Sequence, residues 1–109
     1  MDVYVVWETW LKPEGAEKGY AITKQIWIDM TTFDGYEGHF LLRDQDDAGH
    51  LLLVSHWKTR EDADKTRELY TDNPNVKELQ PLLKRERGRT VYAFQEINGK
   101  LFSDMNKTP

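Results

Sequence analysis

The stretch that decides the fold is Tyr36-Glu37-Gly38-His39-Phe40-Leu41-Leu42-Arg43, followed by Asp44-Gln45-Asp46-Asp47-Ala48-Gly49 and then His50-Leu51-Leu52-Leu53-Val54-Ser55-His56-Trp57. Two runs with a two-residue rhythm flank an acidic, glycine-ended segment, which predicts two strands joined by a solvated hairpin loop. In the first run Tyr36, Gly38, Phe40 and Leu42 fall on one face, and Glu37, His39, Leu41 and Arg43 on the other. In the second, Leu51, Leu53, Ser55 and Trp57 alternate with Leu52, Val54 and His56, so apolar side chains stand on both faces. Phe33-Asp34-Gly35 forms the turn that leads into the hairpin.

Working outward, residues 14–30 carry Ala16, Tyr20, Thr23, Trp27 and Met30 at spacings of three and four, the stripe of a helix packed on one side. Gly19 works against this helix by roughly 1 kcal/mol of propensity. Before it, Val3-Tyr4-Val5-Val6-Trp7-Glu8-Thr9-Trp10-Leu11 is dense in β-branched and aromatic residues and reads as a strand, stopped by Lys12-Pro13-Glu14-Gly15. After the hairpin, Thr59 caps a second helix, with Asp62 at the third position and Ala63, Thr66, Leu69 and Tyr70 facing inward. Asp72-Asn73-Pro74 ends it near Tyr70 or Thr71. Val76, Leu79 and Leu82 or Leu83 suit a short helical segment that Pro81 interrupts. A fourth strand is expected at Arg89–Gln95.

The order strand, helix, strand, strand, helix, strand predicts an α+β, ferredoxin-like β-α-β-β-α-β domain with both helices on one face of a four-stranded antiparallel sheet. With 109 residues, one domain is the expectation. It occupies residues 1–95, and 96–109 form a polar C-terminal tail, partly docked or frayed. Large apolar side chains on the helix-free face are expensive to leave in water, at about 1.5–3 kcal/mol each. A homodimer formed sheet face to sheet face is therefore expected.

Composition narrows the function classes. Fifteen Lys plus Arg against nineteen Asp plus Glu give a net charge of -4, which argues against general nucleic-acid binding or an anionic-membrane surface. No cysteine is present, which removes disulfides, thiolate nucleophiles and sulfur-rich metal centres. The absence of a long apolar run and of a signal-type N-terminus makes the cytoplasm the expected location.

The side chains with chemical potential are few. His39 and His56 stand in strands and suit a general base near neutral pH, although a hydrogen-bonded structural histidine has the same pattern. With His50 they form no established ligand motif, and packing or surface roles are favoured over a metal. Trp7, Trp10, Trp27 and Trp57, with Tyr20, Tyr36, Phe40 and Tyr92, can line a cavity for a flat polycyclic compound, and each also suits a core or dimer contact. Lys84-Arg85-Glu86-Arg87-Gly88-Arg89 carries a local charge of +3 and can attract an anionic ligand, or simply complement a helix C-terminus. Asp44, Asp46 and Asp47 lack the spacing of a calcium loop.

The chain resembles the antibiotic biosynthesis monooxygenase family of small dimeric α/β-barrel proteins over about residues 3–95. The resemblance is carried by Val5-Val6-Trp7-Glu8-Thr9-Trp10-Leu11-Lys12-Pro13-Glu14-Gly15, by Phe33 through Asp44, by Val54-Ser55-His56-Trp57-Lys58-Thr59-Arg60-Glu61-Asp62-Ala63 and by Leu79-Gln80-Pro81-Leu82-Leu83. It implies a dimeric α/β barrel and a cofactor-independent monooxygenase acting on a small aromatic or polyketide-like substrate with dioxygen. The substrate loses a proton and itself supplies an electron to dioxygen, so neither flavin nor metal is needed. On this reading His39 or His56 serves as base and Arg43 faces an anionic oxygen, while Trp7, Trp27, Phe40, Trp57 and Tyr92 bind the rings. The alternative is a non-catalytic ligand-binding or structural dimer of the same fold. Haem cleavage is disfavoured: Glu8 replaces the asparagine expected on the first strand and Thr66 the helical tryptophan, and no histidine follows His56.

Overall fold

The computed structural model describes residues 2–101. β1 (Val3–Trp10) runs into a 3-10 turn at Pro13–Gly15 and α1 (Ala16–Met30). β2 (Tyr36–Arg43), β3 (His50–Trp57), α2 (Arg60–Tyr70) and a short α3 (Pro74–Leu79) follow. A second 3-10 turn, Gln80–Leu82, leads to β4 (Gly88–Ala93). The four strands form one sheet in the order β2-β3-β1-β4, every neighbouring pair antiparallel. Beyond it β5 (Glu96–Ile97) and β6 (Lys100–Leu101) make a separate small hairpin, which is what the described part of the expected tail forms. The remainder of that tail, 102–109, lies outside the described residues.

The ferredoxin-like order is the one the sequence predicts, but the dimeric α/β barrel is not: the sheet is open, with β2 and β4 as unjoined edges. The physical reason is strand number. Closure needs a full circuit of tilted strands, about eight in the smallest common barrels, and four strands supply only a twisted half-shell.

Burial alternates along β3, with Leu51, Leu53, Ser55 and Trp57 buried and their neighbours partly exposed. The buried side meets α1 through Ile22, Ile26, Trp27 and Met30, and α2 through Ala63 and Tyr70. Gly19 has a positive reason to stand in α1: a Cβ there would come within 2.5 Å of Leu11 Cδ2, so glycine lets the helix pack on the end of β1. Thr59 caps α2 by accepting from the Asp62 N–H at 3.0 Å, as its spacing predicts. The register slips between Tyr36 and Gly38, a bulge that puts Tyr36 beside Trp57 on the helix-covered face, with ring centroids 5.8 Å apart. The alternation read from sequence put Tyr36 with Phe40 and Leu42, and the bulge reverses that placement.

Candidate functional site

Between the sheet and the helices lies a cavity of about 900 Å³. β1 contributes Val5 and Trp7, β3 contributes Trp57, and α1 contributes Ile26, Trp27 and Met30. α2 adds Ala63, Thr66, Arg67 and Tyr70, so the inner walls are apolar and aromatic. The volume falls in the range that holds a drug-sized ligand.

Each tryptophan is fixed by its own strand or helix. Trp57 is buried, and its indole N–H donates to Ser55 Oγ at 3.0 Å, while Ser55 donates to the Val5 carbonyl at 3.0 Å. Trp27 is buried on α1 with its ring 5.6 Å from that of His39. Trp7 faces the same side from β1 and carries the Arg87 guanidinium 4.8 Å above its ring and that of Arg89 at 5.9 Å.

The other side of the cavity is cationic. Arg67, Arg85, Arg87 and Arg89 line it, against Glu86 as the lining carboxylate. Two local features bring the loop arginines there. Leu83 bridges Leu11 and the Lys84 N–H donates to the Trp10 carbonyl at 2.7 Å, so the chain is laid alongside β1 before β4 begins. Arg89 donates from Nη2 to Asp64 Oδ1 at 2.9 Å, while its Nε is buried with no hydrogen-bond partner. Burial pulls the Arg87 pKa below the ordinary arginine value. Tyr70, also on the wall, donates its hydroxyl to Asp29 at 2.6 Å, and burial, the larger cause, pushes its pKa up to about 12. It is a neutral hydrogen-bonding group at any working pH.

The structure brings Trp7, Trp27 and Trp57 together on this cavity with the arginines of the run 84–89, and places His39, Arg43, His56, Phe40 and Tyr92 elsewhere. His39 stands behind Trp27, its Nδ1 2.6 Å from the Tyr36 hydroxyl, and burial lowers its pKa from the usual histidine value. Arg43 pairs with Glu17 at 3.0 Å and covers the Tyr20 ring at 3.8 Å. His56 lies on the helix-free face, stacked on Tyr4 with centroids 4.5 Å apart and its Nε2 3.3 Å from Asp2. That contact is close enough for an ion pair but is not aligned as a hydrogen bond. Phe40 and Tyr92 also stand on the helix-free face, each about half exposed.

Sequence reasoning missed Arg67, Thr66 and Tyr70 as cavity residues and did not place the run 84–89. Its charge of +3 in a chain of net -4 was the available signal. Among the described residues no group of three or more His, Cys, Asp and Glu side chains is arranged to hold a metal ion, and no helix is long and apolar enough to cross a membrane.

The family model described as antibiotic biosynthesis monooxygenase matches residues 2–81. No curated protein matches the chain in sequence. Among solved structures, the chain is similar to SnoaB, a cofactor-independent oxygenase from Streptomyces nogalater, at a TM-score of 0.79 and 12% identity, covering 91% of this chain and 98% of that one. A protein from Mycobacterium tuberculosis gives a TM-score of 0.73 at 20% identity over 91% of this chain and 100% of that one. A conserved protein from Methanosarcina mazei gives 0.70 at 18% over 84% and 91%. At these identities the likeness is one of fold.

Proposed function

From the premise that the chain belongs to the antibiotic biosynthesis monooxygenase family, we propose that it is a cofactor-independent monooxygenase oxidising a small aromatic or polyketide-like substrate with dioxygen. The observation that carries this reading is the cavity between sheet and helices, walled by Trp7, Trp27 and Trp57 and bounded on one side by arginines.

A flat phenol or anthrone enters between the indoles, which orient it and keep water from the reacting carbon. The arginine side favours its ionised form, because a cation nearby stabilises an adjacent anion. Arg89 is the arginine anchored for this role: the ion pair with Asp64 fixes its orientation on the cavity wall, where its charge stabilises a developing oxyanion. The ionised substrate gives one electron to dioxygen, and the superoxide and substrate radical combine into a carbon-bound peroxide. The peroxide anion takes up the proton equivalent lost when the substrate ionised, and loss of water from the hydroperoxide leaves a carbonyl. One oxygen atom enters the product, the other leaves as water, and a methylene is oxidised to a ketone.

Oxygen-electrode measurements with a panel of anthrones and hydroquinones test this. Protein-dependent uptake with one labelled oxygen in the product is expected, and no protein-dependent uptake across the panel defeats it. One observation favours a second reading, a ligand-binding protein without turnover: neither His39 nor His56 stands on the cavity wall. Ligand binding without oxygen uptake selects it.

In either reading the protein works as a homodimer. The helix-free face leaves Phe40 54%, Leu42 48% and Tyr92 53% exposed, and a second copy covers them. A well-folded single chain at high micromolar concentration by sedimentation overturns this assembly.

A further inference from the structure

Arg67, Arg85 and Arg87 line the cavity, yet among the described residues no carboxylate stands within ion-pair distance of any of them. The same chain does pair its other inward arginines: Arg43 with Glu17 and Arg89 with Asp64. Arg87 is partly buried and has only the Trp7 ring beneath it, and Arg85 lies 3.9 Å over the ring of Trp10. Those indoles hold the two guanidiniums by their flat faces, which leaves the N–H edges free. The Arg85 guanidinium lies with Trp10 on the helix-free face, which leaves the half-buried Arg87 and the exposed Arg67 at the cavity with a positive charge that no carboxylate paired to them among the described residues offsets. An anion from outside does so.

We infer that the ligand of this cavity is an aromatic acid, whose permanent carboxylate is held by Arg87 with Arg67 while its rings lie among Trp7, Trp27 and Trp57. The inference rests on the reading of this cavity as the substrate site and adds the class of substrate. A carboxylate fits because the guanidinium edge presents two parallel donors at the spacing of its two oxygens. The carboxylate sits apart from the reacting carbon: Arg89 is already oriented by Asp64 for the oxyanion, whereas Arg87 has no assigned partner. Arg87 also lies beyond the stretch 2–81 that the family model matches, so its part in this clamp is read from the geometry of this chain.

The test is a matched pair of ligands, anthraquinone-2-carboxylate and anthraquinone-2-carboxamide, titrated by calorimetry against the full-length wild-type protein at low and high salt. The acid is expected to bind at least tenfold more tightly than the amide at low salt, with a preference that shrinks as salt is added. Arg87→Gln is expected to bring the two ligands within threefold by weakening the acid at least several-fold more than the amide, and Arg87→Lys to retain part of the preference because charge survives without the fork. Circular dichroism melting verifies that each variant is folded. If Arg87→Gln does not fold, Arg67→Gln is read in the same way. Equal binding of acid and amide by the wild type, failure of both to bind, or equal weakening of both by the variants overturns the inference. The oxygen electrode separates the two proposals. Uptake with neutral anthrones and no preference for the acid leaves the oxygenase reading standing without the clamp. A clear preference for the acid with no uptake on any substrate leaves the clamp without turnover.

Discussion

Arg89 on β4 and Asp64 on α2 are joined by a 2.9 Å hydrogen-bonded ion pair, so the edge strand of the sheet is tied to the helix that faces it across the cavity. The pair is asymmetric. The Arg89 side chain is 12% exposed and that of Asp64 44%, so the buried partner depends on the exposed one. Losing Asp64 strands a guanidinium that already has an unpartnered Nε.

Asp64→Asn is therefore expected to destabilise the fold by about 0.5–1 kcal/mol, a value held down by solvent screening of the exposed carboxylate. The hydrogen bond from Arg89, the largest cause, lowers the Asp64 pKa below the usual aspartate value. A depressed folded-state pKa means that the contribution is complete above the unfolded value near 3.9 and is lost as pH falls through the folded one. Urea titrations from pH 6 down to pH 2 should show the wild type and Asp64→Asn converging at the acid end. Curves separated by a constant amount at every pH would refute this linkage.

The fold was legible because its signals are local. The alternation in 36–43 and 50–57, the stripe in α1 and the Thr59 cap are each readable within a dozen residues. Two features were not local. The bulge that swings Tyr36 onto Trp57 depends on Gly38, whose φ of 149° suits a residue without a side chain, yet the alternation around it reads as regular. The arginines of 85–89 read equally well as cations at a helix end. Their place at the cavity follows from Leu83 meeting Leu11 and Lys84 meeting Trp10, pairings across some seventy residues that no periodicity reveals. The three tryptophans were legible as ring walls by type, but the same reasoning grouped them with Phe40 and Tyr92. Residue type does not say which face of a two-sided sheet receives the helices.

His50 makes a second pH-dependent link, on the helix-free face. Its Nδ1 is 2.8 Å from Asp44 and its Nε2 2.6 Å from Glu8, and its ring stacks on Trp10 at 5.7 Å. The hydrogen bond to Asp44 and then that to Glu8 raise its pKa above the usual histidine value. A raised folded-state pKa gives stability that is complete below the unfolded value near 6.5 and fades as pH rises through the folded one. Thermal melts from pH 5.5 to 9 should fall for the wild type relative to His50→Gln, whose curve lacks this component. In an NMR titration His50 is expected to protonate at higher pH than His39; the reverse order would contradict the assignment.

Ser55 is the buried hinge between the core and the cavity wall. Its hydroxyl donates to the Val5 carbonyl and accepts from the Trp57 indole, so Ser55→Ala leaves a buried indole N–H without a partner. The expected cost is about 1–3 kcal/mol, which for a domain of this size is a fall in Tm of about 4–8 °C per kcal/mol. Because Trp57 walls the cavity, anthraquinone-2-carboxylate should also bind more weakly to the folded variant. An unchanged Tm would mean that the indole finds another acceptor.

Thr66 offers the sharpest test of where ligands sit. It is buried on α2 and faces the cavity from the side opposite the sheet, with Ala63 and Tyr70 one turn to either side. Thr66→Trp puts an indole into space that is already open, so the usual overpacking penalty of about 1–3 kcal/mol should be largely avoided and the melting curve should move little. The same indole occupies the room that an aromatic ligand needs between Trp7, Trp27 and Trp57. Binding of anthraquinone-2-carboxylate is expected to weaken at least tenfold, and any protein-dependent oxygen uptake to fall in parallel. Thr66→Ser, which changes volume little, should keep both. If Thr66→Trp folds and binds like the wild type, the ligand lies outside this cavity, and the roles given to the tryptophans and arginines around it fall together.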